Sequence, residues 1–133
     1  MEIAFSQHQF DNGVITCSDG RFSVPVVTQL NVYPLDVLAI PGASLKVLRD
    51  PSVMADIELL TELHGIQVWH VVDHIDCGYF KKELGEDSEK LHLDNLRKAK
   101  ELIESKLPGV SVVTWLATVT SDNQLELKPV SFK

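Results

Sequence analysis

Val68 to Val72 is an apolar, β-branched run broken only by Trp69 and His70, and it is short enough to be a buried strand. Polar residues follow it at once. Within Asp73-His74-Ile75-Asp76-Cys77-Gly78, the imidazole of His74 and the thiol of Cys77 stand three residues apart. One turn can aim both at a common centre, but two such ligands do not hold a zinc ion. A third must come from elsewhere in the chain. Cys17 is the remaining cysteine, and its setting is parallel: Gly13-Val14-Ile15-Thr16 runs into Cys17-Ser18-Asp19-Gly20-Arg21. An apolar strand that empties into a small, polar, charged turn thus occurs twice.

The segments between them alternate in kind. Val14 to Thr16 reads as the first strand. Phe22 to Asn31 is ambiguous: Pro25 can open a helical turn, and Val26, Val27 and Leu30 can form one face. Tyr33-Pro34 is a break, and Asp36 to Ile40 reads as a second buried strand closed by Pro41-Gly42. Asp50 as N-cap and Pro51 at the first position open a helix in which Val53, Ile57, Leu60 and Leu63 or His64 recur at helical spacing. Gly65 ends it, and the third strand then delivers His74. Residues 79–87, including Lys81-Lys82-Glu83, read as a charged, solvated loop. A second long helix starts at Asp87 or Ser88, carries the stripe Leu96, Ala99, Ile103 and Leu107, and stops at Pro108-Gly109. Val110 to Val119 is a fourth strand, and Leu125 to Val130 is its antiparallel partner across Ser121-Asp122-Asn123. Residues 1–12 show no period and read as a short arm.

This order predicts an α/β fold. It has a mostly parallel central sheet of about four strands, an antiparallel C-terminal edge strand and helices on both faces. With no internal repeat or low-complexity tract, residues 1–133 read as a single domain. Sheets of this kind bind ligands beyond the carboxyl ends of their strands, near the point where strand order reverses. If the first and third strands are neighbours, Cys17, His74 and Cys77 converge there.

Net charge is −7 with no basic run, which argues against nucleic acid and anionic membranes as partners. No apolar stretch nears the roughly 20 residues that span a bilayer. Met1 to Ser6 lacks the basic-then-apolar pattern of a signal peptide. Two cysteines are too few for a disulfide scaffold, so a reducing cytoplasm is the expected compartment.

Cys17-Ser18-Asp19-Gly20-Arg21 resembles the Cys-x-Asp-x-Arg signature of the β-carbonic anhydrases, and His74-Ile75-Asp76-Cys77-Gly78 resembles that family's His-x-x-Cys signature. The likeness extends from Val14 to Leu127, in pattern only across the helices and the hairpin. It implies that Cys17, His74 and Cys77 hold Zn2+ with the fourth tetrahedral position open. It implies reversible hydration of carbon dioxide, a small-molecule substrate, to bicarbonate by zinc-bound hydroxide. It also implies a catalytic dyad in which Asp19 orients the hydroxide and the planar fork of Arg21 holds Asp19 away from the metal. Were Arg21 to let go, Asp19 could take the fourth position and shut the site. A homodimer or higher homo-oligomer is implied too, with an N-terminal arm expected to be shorter than the family's helical one. One loop departs from the family pattern: an Arg-Asn-Ala-Gly-Asn type segment is replaced by Ile40-Pro41-Gly42-Ala43-Ser44. That loop shapes the family's pocket.

The residues by themselves leave other readings open. Cys17 and Cys77 also fit buried thiols or a disulfide, Asp19 a turn cap, and Arg21 a partner for any acid. Asp76 fits a turn or a supporting role beside the ligands, and His64 and His70 fit core or helix-end positions. His8, Tyr79 and His92 are candidate proton shuttles. Three functions remain in view: a zinc lyase hydrating carbon dioxide, a zinc hydrolase of carbonyl sulfide or carbon disulfide, and a non-catalytic zinc-binding relative.

Overall fold

The computed structural model describes residues 3–132; Met1 and Glu2, the start of the expected arm, lie outside the described residues. The elements in chain order are β1 (Asn12–Thr16), α1 (Ser23–Leu30), β2 (Leu35–Ala39), α2 (Ser44–Arg49), α3 (Pro51–His64), β3 (Val68–His74), α4 (Gly78–Leu84), α5 (Glu89–Lys106), β4 (Ser111–Val119) and β5 (Leu125–Val130). The strands form one sheet in the order β2-β1-β3-β4-β5. The first four are parallel, and β5 runs antiparallel to β4. From β1 the chain moves outward to β2, then crosses back to place β3 on the other side of β1. Strand order therefore reverses between β1 and β3.

Side-chain alternation along the strands divides the core. Ile15, Trp69, Val71 and Val112 meet the apolar faces of α2, α3 and α5, where Val47, Ile57, Leu96 and Ile103 are buried. Val14, Val72 and Ala117 face the other way, against Phe22 and Val26 beside α1. Helices thus lie on both faces, as the alternating sequence implies. Gly13 is required by this packing. It pairs in register with Trp69, and a Cβ on residue 13 would stand 2.5 Å from the indole ring.

Local signals explain where the helices begin and end. Asp50 accepts a hydrogen bond from the Ser52 N–H and caps α3, Pro51 occupies its first turn, and Gly65 closes it at φ 69°. The Ser88 hydroxyl accepts from the Leu91 N–H at the start of α5. Leu96, Ala99 and Ile103 form the buried stripe of α5, but Leu107 sits at the cap beyond it. The ambiguous stretch Phe22–Asn31 contains α1, with Val26 as its buried residue.

The structure corrects two expectations and adds one helix. Residues 79–87 are not a loop: most of them belong to α4, which is anchored by the fully buried Phe80 while Lys81, Lys82 and Glu83 face solvent. A single apolar anchor among charges is too little for a visible period. Residues 44–49 form α2, which the sequence reading did not anticipate. The second strand is real but not buried. It lies at an edge of the sheet, Leu35, Asp36 and Leu38 are half-covered, and Ala39 and Val37, the latter at 45%, are exposed. Among the described residues, no helix is long and apolar enough to cross a membrane.

Candidate metal centre

Cys17 directly follows β1, His74 is the last residue of β3, and Cys77 caps the start of α4. Because β1 and β3 are neighbours, the three residues meet at the carboxyl end of the sheet, beside the reversal point. Their ligand atoms lie within 4.8 Å of one another, and all three residues are buried. The Gly42 N–H donates to the Cys17 sulfur at 3.4 Å. Residue 42 has φ 79°, and a Cβ there would run into the Tyr79 ring, so glycine is the residue that fits. The loop that departs from the family pattern therefore supports one of the candidate ligands.

His74 is oriented from two sides. Its Nδ1 donates to the Ile75 carbonyl at 2.6 Å, and its ring stacks on Phe22 with centroids 4.2 Å apart. A proton on Nδ1 leaves a lone pair on Nε2. That nitrogen is buried and has no hydrogen-bond partner among the described residues. A polar atom in this state is costly unless something binds it. Two sulfurs and one such nitrogen are a donor set that could hold a tetrahedral metal ion.

The cluster is electrostatically asymmetric. The Cys77 thiol lowers the pKa of Cys17, with burial opposing and His74 and the Gly42 N–H assisting. Cys77 is raised by Cys17 and by burial. Burial pulls His74 down, but Cys17, the Ile75 carbonyl and Asp19 outweigh it, and the net shift is upward. These neighbours favour the thiolate at Cys17.

Asp19 and Arg21 do pair across the turn after Cys17. Both Asp19 oxygens accept from Arg21, at distances between 2.7 and 3.2 Å, and the Arg21 N–H donates to Oδ1 at 2.9 Å. These bonds pull the Asp19 pKa down to about 2. Asp19 Oδ2 lies 3.9 Å from His74 Nε2, close to the cluster without bonding to it. The guanidinium is held from the far side as well: its Nη1 donates to Asp76 Oδ2 and its Nη2 to the Asp76 carbonyl, both at 3.1 Å. Asp76 also pairs with Lys81. It therefore supports Arg21 in a turn rather than joining the three donors.

Behind the centre lies a buried polar group that the sequence reading missed. Asp73 accepts from the Ser44 N–H at 3.0 Å and from its hydroxyl at 2.7 Å. His92 Nδ1 bonds Asp73 at 2.8 Å, and His92 Nε2 bonds Asp87 at 2.6 Å. The candidate shuttle His92 is thus 1% exposed, with both nitrogens engaged, and does not stand between the centre and solvent. His8 is exposed, and Tyr79 packs on the loop at Gly42. His70 sits in the core, accepting from the Trp115 indole at 3.2 Å, and His64 pairs with Asp36 at the end of α3. A cleft of about 430 Å³ opens beside Arg21 and Phe22, but none of the three donors lines it.

A family model described as "Putative carbonic anhydrase" matches residues 6–128. An uncharacterized protein of Rickettsia bellii is 31% identical over 120 residues, covering 77% of this chain and 73% of its own length. Among solved structures, β-carbonic anhydrase isoform I of Trichomonas vaginalis superposes with a TM-score of 0.68 at 13% identity, covering 99% of this chain and 89% of that one. The apo form of a carbon disulfide hydrolase gives 0.66 at 16% identity, covering 96% and 83%. At such identities the structural likeness is one of fold. Family match and fold agree: the chain belongs to the putative carbonic anhydrase family and is built on the β-carbonic anhydrase fold.

Proposed function

We propose that this protein is a zinc-dependent carbonic anhydrase that interconverts carbon dioxide and bicarbonate. The observation that carries this is the meeting of Cys17, His74 and Cys77 within 4.8 Å, with a buried Nε2 among the donors that has no hydrogen-bond partner among the described residues. Zinc held by that set supplies Lewis-acid activation of water at neutral pH. The chain supplies the rest. Asp19, with a pKa of about 2, stays ionised and accepts a hydrogen bond from the attacking water, which aims a lone pair at the substrate carbon, and the proton released as bicarbonate forms goes to solvent. Arg21 grips both Asp19 oxygens and keeps the carboxylate from swinging onto the cluster. Leu45 and Phe80 pack around the two sulfurs and keep bulk water from the thiolates. In this proposal the working form is a homodimer or larger homo-oligomer, checked by sedimentation equilibrium.

The test is metal analysis of the purified protein, followed by stopped-flow hydration with a pH indicator. One zinc per chain together with hydration is the expected result; zinc-loaded protein that hydrates nothing rejects the proposal. Carbon disulfide or carbonyl sulfide hydrolysis is the second reading. It is favoured by the altered loop at Ile40–Ser44 and by the fold shared with a carbon disulfide hydrolase. Sulfide release from carbon disulfide without hydration of carbon dioxide would select it. Zinc binding with neither activity would leave a non-catalytic relative.

A further inference from the structure

We propose that His92 is a positioning residue: acting through Asp87 and Asp76, it holds the Arg21 guanidinium in place and so keeps Asp19 off the metal centre.

The starting point is the pair of carboxylates on the His92 ring. Asp73 Oδ2 stands 2.8 Å from Nδ1 and Asp87 Oδ1 stands 2.6 Å from Nε2. With Asp73 and Asp87 both ionised, their oxygens only accept, so bonding at both nitrogens places a proton on each and makes the ring an imidazolium. Burial opposes that charge, and the two acids outweigh it. The ring packs on Phe80, with centroids 3.9 Å apart. A buried ion with two partners cannot lose one cheaply, because the survivors stay desolvated.

From His92 the bonds run outward without a gap. The second oxygen of Asp87 accepts the Asp76 N–H at 2.8 Å. Asp76 has φ 57°, a left-handed conformation that a non-glycine residue holds when its surroundings fix it. The Asp76 carbonyl and carboxylate take two Arg21 nitrogens, and Arg21 takes both Asp19 oxygens. Lys81 gives the Asp76 side chain a second anchor, but it cannot replace the acceptor for the backbone N–H. Inward, Asp73 holds the backbone and hydroxyl of Ser44, next to the loop whose Gly42 N–H supports Cys17. With His92 removed, Asp87 loses its buried partner, the Asp76 turn relaxes and Arg21 keeps only one hold. Asp19 Oδ2, 3.9 Å from His74 Nε2, then has a short path to the cluster.

The effect on turnover rests on the carbonic anhydrase proposal; the effect on Arg21 does not. Wild type, His92→Gln, Asp76→Ala and the double variant are compared after zinc supplementation. Glutamine can donate to one carboxylate but not to both. The readouts are zinc content, the Arg21 Nε–H signal in heteronuclear NMR, and kcat and KM for hydration. Zinc is expected in all four. The Arg21 Nε–H, which donates to Asp19 in wild type, is expected to exchange faster in His92→Gln than in wild type, with kcat lower by about tenfold or more and KM little changed. The two substitutions are expected to be non-additive, since they act through one chain of bonds. An unchanged Arg21 signal in His92→Gln overturns the proposal, and so do additive effects. If wild type hydrates nothing, the proposed function fails while the Arg21 signal still decides on His92. If His92→Gln does not fold, Asp87→Asn takes its place with the same expectations.

Discussion

Asp19 has to stay near the cluster and yet not join it, and Arg21 resolves that conflict. Replacing Arg21 with Ala removes the fork but none of the three donors. Zinc content should therefore stay at the wild-type level while hydration falls by about 100-fold; wild-type rates in that variant would remove the pair from the mechanism. The same bonds link stability to acid. Hydrogen bonds from Arg21 lower the Asp19 pKa from 3.8 to about 2. As pH falls, the unfolded chain takes up this proton before the folded one. The contribution of the pair is therefore complete above the unfolded value and disappears as pH drops from 3.8 to about 2. With the Arg21 side chain 57% exposed, solvent screening keeps the contribution small. Urea midpoints of wild type and Asp19→Asn should converge at the acidic end of this window. A gap that persists below it would show that the pair is not its source.

At the level of elements, β1 and β3 are locked by a glycine facing an indole. The Trp69 ring is fully buried, and its Nε1 donates to the Thr61 hydroxyl at 2.8 Å, so it cannot swing aside. Gly13→Ala should cost about 1–3 kcal/mol by overpacking, read as a lower urea midpoint with altered tryptophan fluorescence. A neutral result would mean that the sheet gives way there. The strands and the two long helices were legible in the sequence because each repeats a signal: β-branched runs, Asp50-Pro51 and Gly65 around α3, and the stripe on α5. Short α4 and α2 were not, since one or three buried residues do not establish a period. A similar division holds at the centre. Cys17, His74, Cys77, Asp19 and Arg21 stand out by type and by short spacing. Ser44, Asp73, Asp87 and His92 do not, because their bonds join residues up to 29 apart in the chain and exist only once α2, β3 and α5 have packed.

For the molecule as a whole, a cation at the meeting point of β1, β3 and α4 would bind the folded chain and not the unfolded one. At a thousandfold excess over Kd such binding adds about 4 kcal/mol. Chelation should therefore lower Tm by on the order of 10 °C. Cys77→Ser should melt near the chelated value and show no response to added zinc. A chelator that leaves the wild-type Tm unmoved would count against the centre.

Consecutive residues Asp73 and His74 leave β3 on opposite sides, one toward Ser44 and His92, the other toward Phe22 and the thiols. Inserting or deleting a single amino acid upstream within that strand would exchange their destinations, sending an imidazole into the helix-covered interior and a carboxylate to the sulfurs. β3 is thus held to one register between β1 and β4, the one in which Asp73 and His74 keep their separate sides.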